Sequence, residues 1–168
     1  ERAERDAAQA QGAGTAVKRL EERLLACQGE LTQAAPHFEP MDGVSNAGVL
    51  LALPALIGEG LLSSANRIYA PLKAGFYGLH AILLCLVMMA LLRIKSIERL
   101  SAHQPGELGI LLGLDRVPEM KTLRRKLAEL GDQQRAAKLA AALTERWARG
   151  EPDELGVLYI DGHVTTYT

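Results

Sequence analysis

Leu79-His80-Ala81-Ile82-Leu83-Leu84-Cys85-Leu86-Val87-Met88-Met89-Ala90-Leu91-Leu92 is the strongest apolar run in the chain, and what it becomes decides the fold. Its 14 residues contain His80 and are closed by Arg93 and Lys95. Wound as a helix the run rises about 21 Å, short of the roughly 30 Å hydrocarbon core of a bilayer. The run is therefore expected to form a buried core helix from about Phe76 to Leu92, and membrane insertion is disfavoured. Fully burying each large side chain contributes about 1.5–3 kcal/mol, so a charge at Leu86 is expected to unfold the domain.

Upstream, Tyr69 to Gly78 is a turn-rich connection. Val44 to Ser64 reads as one or two helices, with Ser45 or Asn46 as N-cap and Pro54 as a kink. Pro54, Gly58, Glu59 and Gly60 break its apolar stretch, which also argues against a membrane span. Pro36 and Pro40 mark a linker. Ahead of them Val17, Leu20, Leu24 and Leu31 recur at spacings of three, four and seven among charged residues. That pattern predicts a short amphipathic helix able to pair with a partner helix, which makes a homo-oligomer through the N-terminal helix an expected association.

Downstream, the grammar changes. Glu107 to Leu112 predicts a short helix stopped by Gly113, a residue that enters the left-handed region without penalty. Leu114 to Val117 makes a tight connection, and Pro118 predicts the first turn of a second helix running to Leu130. A short helix, a glycine-containing turn and a second helix give a helix-turn-helix-like element over residues 106–130. Met120, Leu123, Leu127 and Leu130 form the buried stripe of that second helix, Lys121, Thr122, Arg124 and Arg125 lie away from it, and Lys126 flanks it. Such a face can enter a major groove, with arginine reading guanine edges and lysine meeting phosphates. A solvated basic face on a core-packed helix is the plain alternative. Gln133 to Arg149 predicts a further helix whose stripe of Leu139, Leu143 and Trp147 buries the tryptophan.

The last segment, residues 150–168, reads differently. Gly156 to Tyr167 is rich in β-branched and aromatic residues and is split at Asp161-Gly162, a hairpin pattern. Asp161 is either a turn former or a carboxylate aimed at a hard metal ion. The charges separate along the chain: residues 41–92 are nearly uncharged, residues 93–149 carry 12 basic and 7 acidic groups, and residues 150–168 carry 4 acidic groups and no basic one. A basic block beside an acidic one suits contact with a polyanion in one part and cation binding in the other. Two cysteines among 168 residues exclude a disulfide scaffold, and 48% apolar residues exclude a disordered chain. A reducing, cytoplasmic compartment is expected.

The organisation expected is an amphipathic, possible coiled-coil helix over 1–35, a linker over 36–43, a helical domain over 44–149 and the opening of another domain over 150–168. The fold class expected is mainly α, a helical bundle with a helix-turn-helix-like segment and a C-terminal β-hairpin.

The run from Gly106-Glu107-Leu108-Gly109 through Gly113-Leu114-Asp115-Arg116-Val117-Pro118-Glu119-Met120-Lys121-Thr122-Leu123-Arg124-Arg125-Lys126-Leu127 resembles the amino-terminal region of bacterial DDE-type transposase-like proteins. Gly75-Phe76-Tyr77-Gly78-Leu79 and Ala90-Leu91-Leu92-Arg93-Ile94-Lys95 share the resemblance, and Val157 to Val164 looks like the first strand of their ribonuclease-H-like domain. The resemblance covers about residues 44–168. It implies double-stranded DNA as partner, nucleoid association, and DNA contacts from Lys121, Thr122, Arg124, Arg125 and Lys126. It also implies that Asp161 is the first acid of a metal-dependent strand-transfer site using Mg2+ or Mn2+. The chain opens at Glu1 and closes at Thr168 inside a strand-like run, so a truncated transposase is expected, inactive and metal-free by itself because the other acids are missing. The alternatives are a non-catalytic helical interaction or DNA-binding module and, as a minor one, a membrane-associated helical protein.

Overall fold

A computed structural model of the chain describes residues 18–150. Their elements in order are α1 (Leu20–Gln28), a 3-10 helix (Ala47–Ala52), α2 (Leu53–Gly58), α3 (Leu61–Ile68), α4 (Leu79–Leu91), a second 3-10 helix (Ile97–Ala102), α5 (Pro105–Leu111), α6 (Met120–Asp132) and α7 (Ala136–Gly150).

Helix α4 is the apolar run, and it sits at the centre of the core as its composition requires. A helix apolar on every side calls for cover on every side, and α4 finds it over most of its length, with Leu91 at its end 42% exposed. Leu79, Ala81, Ile82, Leu84, Cys85, Met88 and Met89 are all buried. The point of deepest burial is Ile82, at 0% exposure, rather than Leu86, which is only partly covered. Helices α3 and α6 pack on α4, α7 packs on α3, and the second 3-10 helix packs on α6. Among the described residues no single helix is long and apolar enough to cross a membrane. The pair Ala47–Gly58 and Leu61–Ile68 reaches that length only together, across a 55° bend.

The expected fold class needs correction. Among the described residues every regular element is a helix and there is no strand. The hairpin expected over residues 156–167, and with it the opening of a ribonuclease-H-like domain, lies outside the described residues. The extended segment around residues 32–37 does not build a ladder either. Its backbone bonds are few: the Thr32 carbonyl accepts from Gly75 N–H at 3.3 Å, Ala34 N–H donates to the Phe76 carbonyl at 2.9 Å, and His37 N–H donates to the Gly113 carbonyl at 2.8 Å.

Two glycines shape the region that leads into α6. Gly113 ends α5 at φ +66°. Its own N–H donates to the Ile110 carbonyl and the Leu114 N–H to the Gly109 carbonyl, each at 2.9 Å. This is the paired closure that a left-handed residue makes possible at a helix end. Gly109 is needed for a different reason: a Cβ there would stand 2.3 Å from Cα of Arg116. The chain after α5 folds back directly onto the helix it has just left.

The reading of α7 is corrected at one residue. Leu139 packs on the core, but Trp147 is 50% exposed. α7 packs chiefly on α3, and beside Trp147 the Arg146 guanidinium donates to the Gly58 carbonyl of α2 at 2.8 Å, so polar rather than apolar contact meets the end of the stripe.

Candidate nucleic-acid interface

The stripe predicted for α6 folds as its spacing dictates. Leu123 and Leu130 are buried, Leu127 packs partly against the core, and Met120 lies at the open end. Positions one residue off the stripe then face water. Lys121, Arg124 and Arg125 are exposed, and spacings of three and four keep all three on one side of the helix. Thr122 is half-buried at the edge of that face. The cations occupy the first half of α6, where the positive end of the helix dipole adds to their field.

Lys126 does not join them. It is 2% exposed and takes a place in the buried stripe. Its ammonium donates to the Lys73 carbonyl at 2.5 Å and lies 3.4 Å from Glu129 Oε2. The same Glu129 oxygen accepts the Lys73 N–H at 3.1 Å. Lys126 and Glu129 thus clamp both backbone groups of Lys73 and hold the turn ahead of α4. The sequence placed Lys126 beside the stripe; the Lys73 carbonyl and the Glu129 carboxylate facing that position draw its ammonium inward.

Arg124 pairs with Glu98 of the second 3-10 helix, and both side chains stay exposed. The Arg124 guanidinium, with help from the backbone N–H of Glu98 itself and the Ser96 hydroxyl, holds the Glu98 carboxyl down to about 2. Glu98 is therefore an anion at any working pH, set at the edge of the basic face.

The approach to α6 is fixed by a cluster that spacing within the sequence does not reveal. The Arg23 Nε of α1 donates to Asp115 Oδ2 at 2.6 Å, and its Nη2 donates to the Tyr77 hydroxyl at 3.1 Å. The Tyr77 hydroxyl in turn reaches the carbonyls of Arg116 and Val117 at 3.0 and 3.1 Å. The guanidinium also lies over the Phe76 ring, 4.0 Å from its centre, which favours a cation. Burial works against charge on Asp115, but the hydrogen bonds and the charge of Arg23 outweigh it and hold the carboxyl below its ordinary range. Burial raises the Tyr77 phenol, which keeps it a donor. The only hint in the sequence is the co-occurrence of aromatic Phe76-Tyr77 with an unexplained aspartate at 115.

Residues 112–119, held by this cluster, connect α5 to α6. Eight residues exceed the three or four that join the helices of a helix-turn-helix. Pro118 is buried in this connection, and Glu119 precedes the first turn of α6. α6 packs mainly on the second 3-10 helix and α4. Beside the cluster, a cleft of about 440 Å3 opens between Arg19, Phe38, Met41, Ile110 and Leu114. It gathers none of the residues that the sequence singles out for DNA contact.

Asp161 lies outside the described residues. Among those described, no group of three or more histidine, cysteine, aspartate or glutamate side chains could hold a metal ion. They do not fit a metal centre, and no chemical step through a metal follows from them.

No curated protein and no solved structure matches the chain. Over residues 14–168, nearly its whole length, it matches the family described as Transposase protein, and it belongs to that transposase family.

Proposed function

We propose that this chain is a DNA-binding portion of a transposase and that the outer face of α6 meets the phosphates and base edges of a duplex. The observation that carries the reading is the exposure of Lys121, Arg124 and Arg125 on one side of a helix whose other side is anchored in the core. Rigid support matters, because a contact set on a fixed helix keeps its register on the duplex. Thr122, at the edge of this face, is close enough in sequence to serve as a hydroxyl contact, while Lys126 supports the helix from below. Supported in this way, the face predicts binding whose log affinity falls with log salt by about 0.9 per phosphate neutralised. Fluorescence anisotropy on a labelled duplex tests it. Replacing Lys121, Arg124 and Arg125 together by alanine should flatten the slope by about 1.8 to 2.7, two full contacts and up to a third contact from Arg124, which Glu98 partly holds. Duplex binding that ignores both salt and the substitutions overturns the reading.

The same reading extends to Asp161 the role of first acid in a DDE-type strand-transfer site, with Mg2+ or Mn2+ as the ion, in a protein that supplies the other acids. There Asp161→Asn should abolish strand transfer and leave duplex binding unchanged. Equal loss of both would remove this part of the reading.

A second reading has its own observation. On α1, Leu20 is 69% and Leu24 59% exposed, a pair of adjacent apolar side chains facing away from the core. A second copy of this helix is the occupant that a repeated leucine spacing suits. Light scattering that shows a dimer for the wild type and a monomer for Leu20→Glu with Leu24→Glu supports self-association. A wild-type monomer at all concentrations overturns it.

A further inference from the structure

We infer that Arg93, Lys95 and Arg99 form a second phosphate-contacting element beside α6, so that a duplex is gripped along two neighbouring stretches of chain rather than one. This rests on the reading of α6 as a DNA-binding face and extends the footprint.

Apolar and charged residues alternate over Arg93-Ile94-Lys95-Ser96-Ile97-Glu98-Arg99-Leu100. Ile94 and Leu100 are buried, and Ile97 packs partly against the core. In the 3-10 helix residues three apart eclipse one another, so Ile97 and Leu100 both point inward. Arg93, Lys95, Glu98 and Arg99 are left exposed. The inward side chains bring the 3-10 helix Ile97–Ala102 against α6, and Arg93 and Lys95 lie in the chain that leads directly into it. The Glu98–Arg124 pair then shows that its outer edge and the outer face of α6 meet at one surface. Among the described residues no carboxylate is paired with Arg93, Lys95, Arg99, Lys121 or Arg125. Glu98 is the acid recorded at the seam between the two basic groups, and its charge is already met by Arg124.

Two neighbouring stretches with exposed cations and no aromatic residue in residues 93–102 or 120–132 suit a regular polyanion better than a single-stranded chain, whose bases need rings to stack on. The φ of Arg93, 56°, lies in the left-handed region, an unusual place for arginine, and it ends α4 with the N–H of Ile94 donating to the Met89 carbonyl. Glycine or asparagine would close the helix with less strain; arginine there places an exposed cation at the negative end of the α4 dipole.

The test compares two charge-matched variants on one fluorescent random-sequence duplex. Arg93→Asn, Lys95→Gln and Arg99→Gln together remove the proposed contacts, with asparagine chosen because it tolerates the same φ. Lys18→Gln, Lys138→Gln and Arg149→Gln together remove three exposed cations elsewhere. Circular dichroism and a denaturation curve check that both fold. The inference expects the first variant to flatten the salt slope by about 2.7 and the second to leave it within one contact of wild type. Equal slopes for the two variants overturn it, and so does a first variant that keeps the wild-type slope. If that happens while the Lys121, Arg124 and Arg125 substitutions still flatten the slope, the footprint is confined to α6 and the proposed function stands. A wild-type chain that shows no duplex binding removes both. Salt-dependent binding to phosphatidylserine vesicles equal to that on the duplex assigns the surface to lipid and overturns the inference.

Discussion

Arg23 of α1 and Asp115 of the connection before α6, 92 positions apart, form a two-pronged ion pair with a Nε–Oδ2 distance of 2.6 Å. The pair joins the first described helix to the segment that aims α6. Their side chains are 18% and 10% exposed, so either charge left alone would be poorly hydrated. Arg23→Ala is expected to destabilise the fold by about 2–3 kcal/mol, part of it from lost stacking on Phe76. Asp115→Ala should cost a similar amount, and the double variant less than the sum, because the second substitution removes a charge already stranded. Urea denaturation of the four proteins measures the cycle. Strict additivity would mean that the two residues do not act on each other.

The pair also sets an acid limit. The Asp115 carboxyl titrates below its ordinary value of 3.8 in the folded chain. A lowered folded value means that the unfolded chain binds the proton first, so stability falls as pH drops. The contribution of the pair is complete above about pH 4.5 and is lost as pH falls through the lowered folded value. Denaturation midpoints between pH 3 and 7 should fall less steeply at the acid end for Asp115→Asn than for wild type.

Glycines that look alike in the sequence should respond oppositely to alanine. Gly109→Ala places a Cβ 2.3 Å from the Arg116 backbone, which no side-chain motion can relieve. The expected loss is about 1–3 kcal/mol, the range for overpacking a closed site. Gly131 lies within α6 with nothing within 4 Å of an added Cβ. There alanine removes unfolded-state freedom and should stabilise by about 0.5–1 kcal/mol. Thermal melts of both variants decide the matter, and a stabilised Gly109→Ala would contradict the close approach.

These responses mark the boundary of what the sequence makes legible. The core helix, the glycine stop at 113 and the stripe of α6 all follow from local periodicity, and all three are present. The exposed cations at 121, 124 and 125 follow from the same stripe. Lys126 does not, because its direction is set by the Lys73 carbonyl, which belongs to another turn of the chain. Arg23 and Asp115 meet only after the helices have packed, and neither has a periodic signal. Trp147 shows the converse limit: its spacing predicts burial, yet burial needs a neighbour, and spacing says nothing about whether one is there.

The two cysteines should separate by reactivity. Burial pushes the Cys85 thiol up to about 12, while Cys27 is exposed on α1. Only thiolate reacts, so at pH 8 a disulfide reagent should modify one thiol per folded chain and the second only as the protein unfolds. Two equivalents reacting at once in native buffer would show that α4 is not sealed within the core.

Lys121 and Lys126 stand on the same helix, five residues apart, and substitution should assign them different work. Lys126→Ala leaves the Lys73 carbonyl and the Glu129 carboxylate without their ammonium. Removing one partner of a buried set costs about 1–3 kcal/mol. Because its charge never reaches the surface, the salt slope of duplex binding should not change. Lys121→Ala touches an exposed side chain, so stability should stay within about 0.5 kcal/mol, while the slope flattens by about 0.9. The crossed outcome, a stable Lys126→Ala with a flattened slope, would place Lys126 back among the DNA contacts and empty the clamp of its meaning.

Glu98 offers the most direct control over the basic face. Its carboxyl titrates near pH 2, held there by Arg124, so between pH 5 and 8 it is always charged and always competes with a phosphate for that guanidinium. Both side chains are more than half exposed, and an ion pair in that setting contributes little to stability. Glu98→Gln should therefore change the denaturation midpoint little. It should tighten duplex binding at low salt, with the salt slope steeper by up to about 0.9 as Arg124 becomes a full contact. The gain should shrink as salt rises and should not vary with pH across that range. Unchanged affinity at low salt would mean that Arg124 does not meet the duplex, and would leave Lys121 and Arg125 to carry the contact from α6.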